Sequence, residues 1–196
     1  MLTKDEFIAP LVDHRKNEVV ITSMGLVRPW AKHSDHVLDF ACGDSAMGHA
    51  ADFALGIALA QPMRKVICIN GDGSMLMNLG TLVTIVQSRA KNLLLFVMQN
   101  ESYEITGNQP VPGLGGVDYV LLARGAGVRR AYLFDDPKEY SAALPSLLDG
   151  DGPIMVAVKV EAGREKPLNR NPAEPARYLR PSLAESAYSF RQALSG

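Results

Sequence analysis

Cysteine is scarce in this chain. Cys42 and Cys68 stand far apart, with no Cys-x-x-Cys pair and no convincing His/Cys cluster. Zinc and iron–sulfur centres therefore lack their ligand sets, and Cys68, inside an apolar run, reads as a small core residue. Net charge is nearly absent as well. Twenty basic residues against 21 acidic ones leave a formal charge of −1, which gives no overall pull toward nucleic acid or an acidic membrane surface. The apolar runs are too short to span a bilayer, and the opening MLTKDEFIAP lacks the apolar stretch of a signal peptide. These features predict a cytoplasmic protein with neither nucleic acid nor membrane as partner. No GxxxxGK(S/T) segment is present, so the pattern of a P-loop nucleotide site is excluded. There is no internal repeat, and 196 residues suffice for one α/β domain with a substantial core.

The stretch from Val66 to Gln109 carries the strongest pattern. Val66-Ile67-Cys68-Ile69 is an apolar run that stops at Asn70-Gly71-Asp72-Gly73. Leu76, Leu79, Leu82, Val83 and Val86 follow at helical spacings of three and four. A second apolar run, Leu93 to Met98, stops at Gln99-Asn100-Glu101-Ser102. The order strand, turn, helix, strand, turn predicts one βαβ unit. Parallel strands end on the same side, so Asp72 and Asn100 are expected to lie close together although 28 positions separate them. A carboxylate and an amide oxygen so placed suit Mg²⁺, with phosphate oxygens completing the shell. Gly71 and Gly73 allow close backbone approach, and Ser74 stands at a helix start, where amides face an anion. The same residues also fit an ordinary strand-to-helix turn with Asp72 as its cap. A dinucleotide site fits less well: position 76 is not glycine, and no acidic residue ends the next strand.

Gly71-Asp72-Gly73, then Asn100 in a polar turn after an apolar strand, resembles the binding motif of thiamine-diphosphate enzymes. Gln99 stands where that family often has a first asparagine. The segment Asn100 to Pro110, with Thr106-Gly107 and Gln109-Pro110, is similar to one in sulfopyruvate and phosphonopyruvate decarboxylases. The resemblance covers the diphosphate-binding domain, roughly residues 1 to 165. It implies that Asp72, the Asn100 side chain and the main-chain oxygen of Ser102 hold Mg²⁺, and that Gly73 and Ser74 hold the diphosphate of thiamine diphosphate. It also implies that Met47, in Ser45-Ala46-Met47-Gly48, props the cofactor, while the Ser45 carbonyl accepts from its pyrimidine amino group. Ser23, with Thr22 and Gly25, ends another strand near the diphosphate; plain turn residues are the competing reading.

The remaining chain predicts a helix from Thr3 to Lys16 with Thr3 as cap and Glu6 in a capping box. Strands are expected near 18–22, 37–40, 128–133 and 154–160, the 128–133 strand near an edge because Arg129-Arg130 interrupts it. A helix from Lys138 to Leu148 follows Asp136 and Pro137. The fold class is thus α/β, a mostly parallel sheet with helices on both faces, and the resemblance implies the thiamine-diphosphate-binding fold over residues 1–162. The loop Val111 to Gly116 is a candidate lid or a plain turn. Residues 163–196 are expected to form an extended arm, crossing toward a partner subunit, and a final helix capped by Ser182 and Glu185.

The resemblance implies a subunit of a decarboxylase acting on a small 2-oxo acid with a second anion, with Arg28 or Gln109 as candidate partners of that anion. The glutamate that activates the cofactor is expected on a separate pyrimidine-binding, alpha-type subunit. Glu104 is the catalytic candidate here, and an ordinary surface charge is its alternative. A hetero-oligomer is expected, with self-association also open. The competing function is a non-catalytic module that binds thiamine diphosphate for regulation or assembly.

Overall fold

The structure is a computed structural model that describes residues 1–44 and 47–195. Six parallel strands form the central sheet: β1 (Val19–Ser23), β2 (Asp39–Cys42), β3 (Val66–Gly71), β4 (Leu93–Gln99), β7 (Arg130–Phe134) and β8 (Ile154–Lys159). Their spatial order is β2-β1-β3-β4-β8-β7. A two-stranded antiparallel ribbon, β5 (Ser102–Tyr103) and β6 (Gln109–Pro110), stands beyond the end of β4. Successive residues face opposite sides of the sheet, and both faces are apolar. Leu93, Leu95 and Val97 enter one core, whereas Leu94, Phe96 and Met98 enter the other. That double burial explains the unbroken apolar runs.

Helices α1 (Lys4–His14) and α7 (Pro137–Asp149) cover one face, with Phe7 and Tyr140 at 5.7 Å between ring centres. Thr3 and Glu6 form the expected capping box, and the Asp136 side chain accepts from the amides of Lys138 and Glu139. The other face carries α3 (Ala50–Ala60), α5 (Gly80–Ser88) and α6 (Tyr119–Ala126), whose Ala54, Leu82 and Ala123 enter the first core. Short helices α2 (Val27–Ala31) and α4 (Asp72–Met77) lie near the strand ends. No helix among the described residues is long and apolar enough to cross a membrane.

Three expectations change. β2 begins at Asp39, not Val37, because Arg15 pairs with the buried Asp39 carboxylate at 2.5 Å while Val37 stays exposed. The helix after Asp72 is two helices. Asn78 leaves helical geometry between them, and its side chain donates to Asp52 of α3 at 2.7 Å. Val83, counted in the apolar stripe, faces outward.

The arm is ordered against its own chain. Residues 163–181 fold back on their own chain, ahead of α8 (Leu183–Ser195). Arg170 forks onto Asp44 at 2.8–3.1 Å and donates to the carbonyls of Tyr178 and Pro181. The Tyr178 hydroxyl lies within hydrogen-bond distance of both Asp39 and the Ser34 carbonyl, which share its one proton, and Ala176 and Leu179 are buried with Val27 and Ala41. Such apolar and ionic partners hold the arm in cis. The edge position of β7 is as expected.

Candidate functional site

From β1 the chain goes one way to β2 and then returns past β1 to β3. Outside the carboxyl ends of β1 and β3 the crossovers diverge, which opens a crevice where ligands bind such sheets. An open cleft with a cavity volume of about 90 Å³ lies at that place, and Ser23, Met47, Gly71, Asp72, Gly73 and Ser74 line it together with Asn100, Ser102 and Glu104. The described residues expected to bind Mg²⁺, the diphosphate and the cofactor rings, Thr22 excepted, therefore meet in one place. Ser45 lies outside the described residues.

Asp72 is the electrostatic centre. Its carboxylate accepts from the Gly73 amide at 2.7 Å and from the Glu101 amide, across the gap from β3 to β4, at 2.6 Å. Glu101 adopts the left-handed region at φ 57°, an uncommon conformation for a residue with a side chain, and so turns its N–H back on Asp72. Burial pushes the Asp72 carboxyl up to about 6, against the two amide bonds, which lower it. Among the described residues no basic side chain pairs with it. A buried carboxylate without a cation is costly, and a divalent ion would remove that cost.

Asn100, also buried, donates its amide Nδ2 to Glu104 Oε1 at 2.7 Å. A carboxylate only accepts, so this bond assigns the amide nitrogen and leaves Oδ1 free apart from a 3.4 Å contact with the Ser102 amide. Ser102 Oγ is buried with no partner. At Gly71 a Cβ would meet open space, so the backbone faces the cleft unobstructed. At Gly73 a Cβ would overlap the Tyr103 ring, which packs directly on that glycine. One carboxylate, one oriented amide oxygen, an orphaned hydroxyl and bare backbone fit a hard cation with a phosphate-bearing ligand. Met47 stands half-exposed at the rim. Burial raises the Cys42 thiol to about 12, so it stays protonated at the cleft wall.

Two candidates take other roles. Arg28 is spent on Glu174 at 2.6 Å and on the carbonyls of Lys166 and Pro167, and it fastens the arm instead of awaiting an anion. Gln109 is exposed, and its side chain closes on Thr106. Glu104 reaches the cleft, yet its carboxylate is buried and held by Asn100, Lys4 and the Gly163 amide. Lys4 and Gly163 went unforeseen because no local pattern connects them with positions so distant in the chain.

The family of the thiamine pyrophosphate enzyme C-terminal TPP-binding domain matches residues 22–158. Phosphonopyruvate decarboxylase of Streptomyces viridochromogenes is 37% identical over 69% of this chain and 34% of that protein. Sulfopyruvate decarboxylase subunit beta of Methanococcus maripaludis is 30% identical over 87% of this chain and 88% of that one. The chain thus spans about a third of the first relative and most of the second. Benzoylformate decarboxylase from Polynucleobacter necessarius shares the fold, with a TM-score of 0.68 at 22% identity over 82% of this chain and 33% of that one. With its crevice built on Asp72 and Asn100, this chain belongs to the thiamine pyrophosphate enzymes, as their C-terminal TPP-binding domain.

Proposed function

We propose that this chain is the cofactor-holding subunit of a decarboxylase that uses thiamine diphosphate and Mg²⁺ on a 2-oxo acid bearing a second anion, such as 3-sulfopyruvate or phosphonopyruvate. The observation that carries it is the buried Asp72 carboxylate, unpaired with any described cation and set between the Asn100 amide and the bare backbone of Gly71. The names of the relatives, two decarboxylases of sulfonated or phosphonated pyruvates, supply the substrate class.

When bound, thiamine diphosphate supplies the electron sink for loss of CO₂ from a 2-oxo acid. The chain's part is to hold and orient. Asp72, the Asn100 side chain and the Ser102 carbonyl would hold Mg²⁺, and the backbone from Gly71 to Ser74 would take the diphosphate. Met47 at the rim would support the cofactor rings. Glu104 is buried and held by Lys4, Asn100 and the Gly163 amide, which suits it to a fixed, ionised role and not to moving a proton during turnover. The proton-transferring glutamate therefore belongs on a pyrimidine-binding subunit, which would also cover the exposed Met47 and Met77.

Reconstitution tests this. With Mg²⁺ and thiamine diphosphate the purified chain should release no CO₂, and adding the pyrimidine-binding subunit should give turnover of 3-sulfopyruvate or phosphonopyruvate in preference to pyruvate. Robust turnover by the pure chain would refute the divided active site. Cofactor binding with no turnover beside its cognate partner would favour a non-catalytic module.

A further inference from the structure

The Glu104 carboxylate is a hub without an assigned role. Oε1 accepts from Asn100 Nδ2 and from the Gly163 amide, each at 2.7 Å, and Oε2 is paired with Lys4. The side chain is 2% exposed. Lys4 arrives because the N-terminal segment extends the sheet: the Leu2 amide donates to the Lys159 carbonyl, and Glu161 donates back to Leu2. Gly163 arrives as the first residue of the arm, and Asn108 fastens it from the other side by donating to its carbonyl at 2.7 Å. Lys4 also reaches Glu165 at 3.0 Å. The N-terminal segment and the start of the arm thus converge on one carboxylate, and that carboxylate touches a residue of the cofactor crevice.

An asparagine amide is nearly symmetric in shape, yet only its oxygen ligates a cation. Something must select the orientation. A carboxylate held in place by Lys4 and the Gly163 amide accepts only the nitrogen side and so turns Oδ1 outward. We propose that Glu104 is a positioning residue that presets the Asn100 amide with its oxygen toward the cation, and that Lys4 and the arm residue Gly163 fix Glu104 for that task. The proposal rests on the thiamine diphosphate and Mg²⁺ reading of the crevice. It gives the cis-docked arm a purpose, because its first residue completes the clamp behind the metal side chain. Partners that orient a metal ligand carry roughly 10- to 100-fold in metal affinity.

Exchanging the two functional groups tests the proposal. In Glu104→Gln the charged Lys4 ammonium outcompetes the neutral Gly163 amide for the single remaining oxygen, so the Gly163 bond is lost and the new NH₂ group faces Asn100 and draws the asparagine oxygen inward. Calorimetric affinity for thiamine diphosphate with Mg²⁺ should fall roughly 10- to 100-fold. The double variant Glu104→Gln/Asn100→Asp restores one carboxylate and one amide with the order reversed. Its carboxylate presents an oxygen whichever way it turns, so affinity should return to within about threefold of wild type. A purely structural Glu104 would not be rescued by a change at position 100. Wild-type affinity in Glu104→Gln, or a double variant as weak as the single, would overturn the proposal while leaving the cofactor reading intact. Failure of the wild-type chain to bind Mg²⁺ and thiamine diphosphate would overturn both together.

Discussion

Asp72→Asn should separate stability from binding. The carboxyl is raised from its ordinary 3.8 to about 6 by burial. A two-unit rise makes the ionised group unfavourable in the metal-free folded state by about 3 kcal/mol. The sign follows from proton linkage. Folded Asp72 retains its proton to higher pH than the unfolded chain does, so metal-free stability is unimpaired below pH 3.8 and falls as pH rises through about 6. Asparagine cannot ionise and loses nothing over that range. It does sacrifice part of the hydrogen bonding to Gly73 and Glu101, a pH-independent cost of about 1 kcal/mol. The pH-dependent difference is therefore the cleaner quantity. In EDTA, the stability of wild type relative to Asp72→Asn should drop by roughly 1.5 kcal/mol between pH 5 and pH 7.5. For a chain of this size that corresponds to several degrees in Tm. Urea titrations at four or five pH values would measure it. A difference flat with pH, or one that favours wild type more at high pH, would refute the claim that Asp72 sits desolvated without a cation.

Three other substitutions examine the crevice and its supports. Gly73→Ala places a methyl group against the Tyr103 ring, and should cost about 1–3 kcal/mol in a urea melt while weakening calorimetric cofactor binding; unchanged values would show that Tyr103 yields freely. Arg170→Ala removes the fork onto Asp44 and the bonds to two arm carbonyls. It should cost roughly 2 kcal/mol and open residues 163–181 to limited proteolysis, whereas an equally resistant arm would contradict its docking in cis. Tyr140 is fully buried with no partner for its hydroxyl. Tyr140→Phe should therefore be neutral or stabilising by about 1 kcal/mol, and a clear loss of stability would reveal a partner for that oxygen.

The parts legible in the sequence were those that local chemistry determines. The run Leu93 to Met98 is apolar throughout because both faces of β4 are buried, and a parallel β3–β4 pair puts Asp72 beside Asn100 whatever lies between. Arg130 marked the edge strand, since an interior strand has no room for it. Tertiary partners were invisible. Arg28 looked available because Glu174, which neutralises it, stands 146 positions away. Glu104 looked like a free acid because Lys4 lies 100 positions away. Asp39 fell inside an expected strand, but no local pattern told of Arg15, which neutralises it in the core. The proline-rich arm has no periodicity with which to announce a docking face, and its cis anchorage depends on Arg170 and Tyr178 meeting Asp44 and Asp39.

The central claim is that the Asp72–Asn100 crevice holds thiamine diphosphate through a divalent ion. Isothermal titration of the purified chain with thiamine diphosphate, with Mg²⁺ and then with EDTA, tests it most directly. The account predicts saturable one-site binding only when the metal is present, abolished by Asp72→Ala or Asn100→Ala with the fold retained by circular dichroism. Equal affinity with and without metal, or in wild type and both variants, would contradict it.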